Sequence, residues 1–212
     1  LYMLHGRGGH RDEWIAYGLL DVADQQIRTG LTRPMIIVLP QGDKWYWANH
    51  AGDDVRWGEY IARDLVAQID TYYRTIRSPS ARAIGGLSMG AWGALHHAFL
   101  RPDIFGVVGA HSPALREPDD PSIDFLGTGE EMLRKDPMAL AQTQPNLDKL
   151  RIWLDTAVND PWAKQAEKLH QILAARNIEH IWQLYQGEHD YNYWNEHAID
   201  YLRFYSDSLA QQ

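Results

Sequence analysis

The chain of 212 residues contains no cysteine. Disulfides, thiolate metal sites and a cysteine nucleophile are therefore all excluded, and the redox compartment is left unread. Long apolar runs are missing too: no stretch approaches the roughly 18 apolar residues of a membrane span, so the chain is expected to be soluble as given. Positive charge is in deficit, with 20 Lys and Arg against 28 Asp and Glu and a formal net charge of −8. An acidic field repels nucleic acid and anionic membrane surfaces, which leaves a small-molecule substrate as the expected partner and no nucleic acid or membrane. There is no H-E-x-x-H, and no G-x-G-x-x-G opening a helix, so neither a metal nor a nucleotide cofactor is expected. Oligomeric state and compartment are not read from the residues.

What is present is a hydrophobic share of 45% in a length that suits one domain. Short apolar runs alternate with helix-period segments, the pattern of an α/β protein with a mainly parallel central sheet flanked by helices. Strands are expected at residues 1–4, 35–39, 82–87, 105–110, 151–154 and 180–185. Helices are expected where Ile61, Leu65, Ile69, Tyr72 and Ile76, then Trp162, Ala166, Leu169 and Leu173, and finally Trp194, Ala198, Tyr201, Tyr205 and Leu209 recur at spacings of three and four. The first apolar run starts at Leu1 itself, so further strands are expected upstream. Residues 113–148 carry Pro113, Pro118, Pro121, Pro137 and Pro145, which rule out one long helix. This stretch is read as a short cap or substrate-shaping insertion, with an ordinary surface connection as the alternative.

Gly86-Leu87-Ser88-Met89-Gly90 stands between a strand and a helix. In such a nucleophile elbow the serine occupies a strained turn that lifts its Oγ clear of the sheet, and the flanking glycines let neighbouring chains approach. Ser88 is the candidate nucleophile. A tetrahedral oxyanion then requires preplaced N–H donors. His5-Gly6-Arg7-Gly8-Gly9 follows the first strand, so the backbone N–H groups of Arg7 and Met89 are the candidate donors, with His5 as support for the loop. A base must take the serine proton and a carboxylate must orient that base, in the chain order serine, acid, histidine. His189, in a loop between the last strand and the last helix, is the candidate base. Asp155 and Asp160 both follow the strand at 151–154, and pattern alone leaves the acid open between them. Asp160 also fits a helix N-cap followed by Pro161.

LYMLHGRGG, IIVLPQGDKWYWAN, GEYIARDLVAQIDTYYRT, RAIGGLSMGAWGAL, RPDIFGVVGAHSPAL, RIWLDTAVNDPW and GEHDYNYW together resemble the Putative esterase family of the α/β-hydrolase superfamily, which includes esterase D, feruloyl esterases and mycolyltransferases. The resemblance covers nearly the whole chain and implies an α/β-hydrolase fold and a serine ester hydrolase. It favours Asp160, because the family's glycine, two residues and aspartate fit Ala157-Val158-Asn159-Asp160 with alanine for glycine. It supports His189 through Gly187-Glu188-His189 and the following Tyr193-Trp194. Ala91, where the family usually has glycine, departs mildly. The missing cysteine speaks against S-formylglutathione hydrolysis, the family habit of upstream strands agrees with the abrupt start, and for compartment the resemblance suggests secretion.

The expected chemistry is hydrolysis of short-acyl or hydroxycinnamoyl esters through an acyl-enzyme on Ser88. Since His189 must be neutral to act, activity should fall as pH drops through roughly 6 to 7. Trp45, Tyr46 and Trp47 form an aromatic group that could stack on an aryl acyl or sugar ring, against core packing as the ordinary alternative. Two rivals stand beside hydrolysis: acyl transfer to a sugar or other alcohol, and a catalytically silent carbohydrate-binding module.

Overall fold

The computed structural model describes residues 1–209. Five parallel strands form one sheet in the order β1 (Tyr2–Leu4), β2 (Ala83–Ser88), β3 (Val107–Pro113), β4 (Arg151–Ala157) and β5 (Ile181–Tyr185). The helices are α1 (Glu13–Ala16), α2 (Leu19–Arg28), α3 (Trp57–Glu59), α4 (Val66–Tyr72), α5 (Met89–Leu100), α6 (Gly129–Leu133), α7 (Pro137–Thr143), α8 (Ala163–Ala175) and α9 (Tyr191–Ser208). No described helix is long and apolar enough to cross a membrane.

Alternation along the strands divides the core. Tyr2, Leu4, Ile84, Val108, Ile152 and Leu154 join one buried cluster with α5, α7 and α8. Met3, Ala83, Leu87, Val107, Trp153 and Ala157 join a second with α2 and α9. A strand buried on both faces reads as a continuous apolar run, which is why β2 and β3 were visible in the sequence. Helix α5 is buried on nearly every side because it lies between the sheet and α7.

Several boundaries differ from the sequence reading. Residues 35–39 make no ladder; they run extended beside β1 with a single bridge, Tyr2 to Val38, between Pro34 and Pro40. Prolines on both sides remove donors that a longer pairing needs. The helix expected through Ile76 ends at Tyr72, after a π-helical turn at Tyr60–Leu65. Strand β3 starts two residues later than expected and continues to Pro113, and β4 extends to Ala157. The 113–148 stretch folds into short helical turns. Ile123, Leu126, Met132, Leu140 and Leu147 bury themselves in the α5 cluster, while its first residues lie beside the elbow.

Candidate active site

The carboxyl ends of β2, β4 and β5 converge, the edge where open α/β sheets place their sites. Strand β2 passes directly into α5 through Ser88, whose φ of 53° and ψ of −117° are the strained torsions expected of the elbow. A Cβ on Gly86 would stand 2.4 Å from the Gly90 carbonyl carbon, and one on Gly90 would stand 2.3 Å from the Leu4 oxygen. Both glycines are there because backbone occupies that space.

Asp160 sits in the turn after β4 with its side chain fully buried. Its Oδ1 accepts the Trp162 N–H at 2.7 Å, which closes the turn ahead of α8; the helix itself starts at Ala163 with Trp162 at its N-cap, so Asp160 is not the helix cap that its Asp-Pro context suggested. Its Oδ2 accepts from His189 Nδ1 at 2.6 Å. That bond fixes the tautomer and leaves Nε2 as acceptor for the Ser88 hydroxyl, at 2.8 Å. The loops carrying Asp160 and His189 are tied together by Val158 N–H to Tyr185 O at 2.9 Å and Asn159 N–H to Gly187 O at 3.2 Å. Gly187, at φ 136°, turns the chain out of β5 towards the histidine. Asp190 then caps α9 through the Tyr193 N–H.

The glycine loop after β1 is braced from three sides. His5 Nε2 accepts the Gly42 N–H at 3.0 Å, and Trp47 Nε1 donates to the His5 carbonyl at 3.2 Å. Glu13 Oε2 accepts the Gly6 N–H at 2.7 Å. A Cβ on Gly6 would lie 3.7 Å from the Ser88 Cβ, which puts this loop against the elbow. Met89, the first residue of α5, carries one of the N–H groups that a helix start leaves without an intrahelical partner.

Asp155, the alternative acid, is elsewhere. Because β4 runs two residues beyond Asp155, its side chain points with Trp153 and Ala157 to the α9 face and is fully buried there. It accepts from His111 Nδ1 (2.7 Å), Trp153 Nε1 (2.7 Å), Tyr193 OH (2.6 Å) and Tyr201 OH (3.3 Å). Burial, and then the Asp155 charge, push the Tyr193 and Tyr201 phenols up, so both stay protonated donors.

The aromatic group divides, correcting its reading as a stacking platform. Tyr46 and Trp47 are each 1% exposed, and the Trp47 ring packs against Gly42 and Gly93, leaving no face for a ligand. Trp45 is half-buried against His50 and Phe125. Of the groups that do surround the histidine, the sequence reading names Trp194 but passes over Trp162 and Arg116 as neighbours of it. Trp162 and Trp194 each lie edge-on to His189, with centroids 4.9 Å away. Arg116 lies 5.2 Å over the Trp162 ring, donates to Tyr46 OH at 2.5 Å and pairs with Asp120 at 2.8 Å. That pairing, with the hydrogen bonds at Ser122, holds the Asp120 carboxyl down to about 2. Glu13 and Ser112 were also missed; nothing local marks either one. A cavity of about 840 Å³ lined by Leu1, Ile36, Tyr73 and Arg82 contains none of these residues.

The profile of the Putative esterase family matches residues 1–205. Esterase Rv1288 of Mycobacterium tuberculosis (strain ATCC 25618 / H37Rv) is 32% identical over 117 residues, 53% of this chain and 24% of that protein. The chain thus spans about a quarter of that relative's length. The acetyl esterase of Caldicellulosiruptor saccharolyticus is 19% identical across 97% of this chain and 82% of its own. Among solved structures, a ferulic acid esterase superposes with a TM-score of 0.87 at 23% identity, covering 98% of this chain and 84% of that one. That likeness gives the fold, an α/β-hydrolase sheet with its helices.

Proposed function

The chain belongs to the Putative esterase family, and from that premise we propose that it is a serine carboxylesterase with Ser88, His189 and Asp160 as its triad. The observation that carries this reading is the continuous relay from Ser88 Oγ through His189 to Asp160, at 2.8 and 2.6 Å, on a strained elbow.

Ser88 Oγ attacks the ester carbonyl carbon as His189 Nε2 takes its proton. The carbonyl oxygen becomes an oxyanion held by the Arg7 and Met89 N–H groups. Collapse breaks the bond to the alcohol, which leaves with the proton from Nε2. Water then gives its proton to the same nitrogen and adds to the acyl carbon; the second collapse breaks the bond from that carbon to Ser88 Oγ, which takes the proton back from Nε2 as the acid product leaves. Asp160 holds the tautomer and stabilises the imidazolium.

For the acyl group we propose short or hydroxycinnamoyl chains. The half-buried ring of Trp162 beside His189, with the Arg116 guanidinium over it, offers an aromatic wall next to the base. The names of the acetyl esterase and ferulic acid esterase relatives bracket the same range.

The experiment compares hydrolysis of p-nitrophenyl acetate, p-nitrophenyl butyrate and methyl ferulate by the wild type and Ser88→Ala, with fluorophosphonate labelling. The expected result is turnover that falls to background in the variant and label on Ser88. A folded wild type that neither turns over an ester nor takes label defeats the proposal.

A further inference from the structure

Strand β3 slips by one residue against β2. Leu87 pairs with His111, yet Ser88 pairs with Pro113, so Ser112 is the extra residue of a bulge level with the nucleophile. Bulges beside active sites re-aim a side chain. Ser112 is fully buried and adopts φ 53°, a region that side chains other than those of Asn and Asp seldom enter. Its hydroxyl donates to Asp160 Oδ2, the same oxygen that accepts from His189, and stands 3.4 Å from His189 Nδ1. With the Trp162 N–H on Oδ1, the carboxylate is gripped at both oxygens. Glycine would suit that torsion better and alanine would fill the same buried space, so the hydroxyl is the feature that distinguishes serine here.

We propose that Ser112 is a positioning residue of this site, a fourth member that holds the Asp160 carboxylate in line with His189 and shares its charge. The proposal rests on the esterase reading above and deepens it. Other ionisable groups around the cluster are engaged elsewhere: His111 and Tyr193 with Asp155, Arg116 with Asp120, and Asp190 with the first turn of α9.

The test uses Ser112→Ala, which keeps the strained torsion without the hydroxyl, and Ser112→Gly, which relieves the torsion as well. A hydrogen bond to a charged acceptor governs rate by on the order of 10- to 100-fold. Both variants are expected to lose kcat in that range with KM little changed. The acidic limb of kcat/KM should move to higher pH, because an Oδ2 with one donor fewer directs more of its charge at the imidazolium. The proton resonance of His189 Nδ1 should shift in both.

A packing role predicts the opposite pattern, and wild-type kcat with an unmoved limb and resonance in the folded glycine variant would overturn the proposal. The resonance needs no substrate. If the wild type hydrolyses no ester and Ser88 takes no label, the esterase reading fails, and an unshifted resonance in Ser112→Gly still decides against Ser112 separately.

Discussion

Two aspartates five residues apart are assigned opposite roles, and exchanging each for asparagine separates them. Asp155 lies fully buried with four donors aimed at it, from His111, Trp153, Tyr193 and Tyr201. Asparagine there removes the charge and turns an NH2 towards donors, so at least two of the four lose their acceptor. At about 1.5 kcal/mol or more for each charged hydrogen bond, Asp155→Asn should cost about 3 kcal/mol at least. In a chain of this length that lowers Tm by roughly 6–12 °C. Asp160→Asn can keep the Trp162 N–H bond through its amide oxygen, so stability changes less. Its NH2, however, faces His189 Nδ1 and imposes the tautomer that cannot accept the Ser88 proton. The loss in kcat should be on the order of 10,000-fold. Thermal unfolding by circular dichroism gives the first quantity, and kcat normalised to fluorophosphonate-titrated sites gives the second. A 10,000-fold loss in Asp155→Asn, with Asp160→Asn close to wild type, would refute the assignment of both residues.

Gly90→Ala places a Cβ 2.3 Å from the Leu4 oxygen and 2.7 Å from that of His5, so it should destabilise by about 3 kcal/mol or more in urea unfolding. Asp136, 1% exposed at the start of α7, has its carboxyl pushed up to about 6 by burial, partly offset by the Ala139 and Met138 N–H groups. The folded chain therefore holds a proton that the unfolded chain releases between about pH 4 and 6, and stability falls as pH rises through that window. Asp136→Asn, which can still cap, should be more stable than wild type at pH 8 by up to about 3 kcal/mol, with the gain vanishing near pH 3; a net loss at pH 8 would contradict this. Burial holds His96 down to about 4 and His97 to about 3. Their contribution is present above about pH 6.5 and lost as pH falls towards those values, and His97→Gln, able to donate to the Trp47 carbonyl, should flatten the acid side of the Tm curve. Trp162→Ala should raise KM for methyl ferulate several-fold more than for p-nitrophenyl acetate if the ring is the acyl wall; equal effects on the two would remove it from that role.

The elbow was legible because its requirements are local. Gly86, Ser88 and Gly90 stand within five residues, and the backbone that crowds the glycines belongs to the turn and to the adjacent β1. His189 was legible for a related reason: a loop between β5 and α9 opens onto the edge of the sheet where the elbow ends. The choice of acid was not local. Ending the strand at Leu154 makes Asp155 a residue of the sheet's rim, whereas β4 in fact runs to Ala157, so that alternation carries Asp155 into the interior under the tyrosines of α9. An apolar run gives no sign of that extension when its next residues are Asp155 and Thr156. The aromatic triplet failed similarly. Trp47 is drawn inward by Gly42 and Gly93, glycines far apart in sequence whose missing side chains make the slot for its ring.

Ser112 lies furthest from what periodicity can reveal. Its hydroxyl reaches Asp160 because β3 carries one residue more than β2 requires, and that surplus appears when the two strands are laid side by side. Up to His111 the strand alternates as an ordinary ladder does, with His111 directed at Asp155 on the α9 face. The bulge breaks that alternation at the next residue and directs Ser112 to the other aspartate. Two consecutive side chains of one strand thereby reach two carboxylates of the neighbouring segment, His111 bonding Asp155 in the core and Ser112 bonding Asp160 beside His189. A single slip of register separates the buried network that holds α9 on the sheet from the relay that α9 helps to frame, since the loop carrying His189 leads directly into that helix.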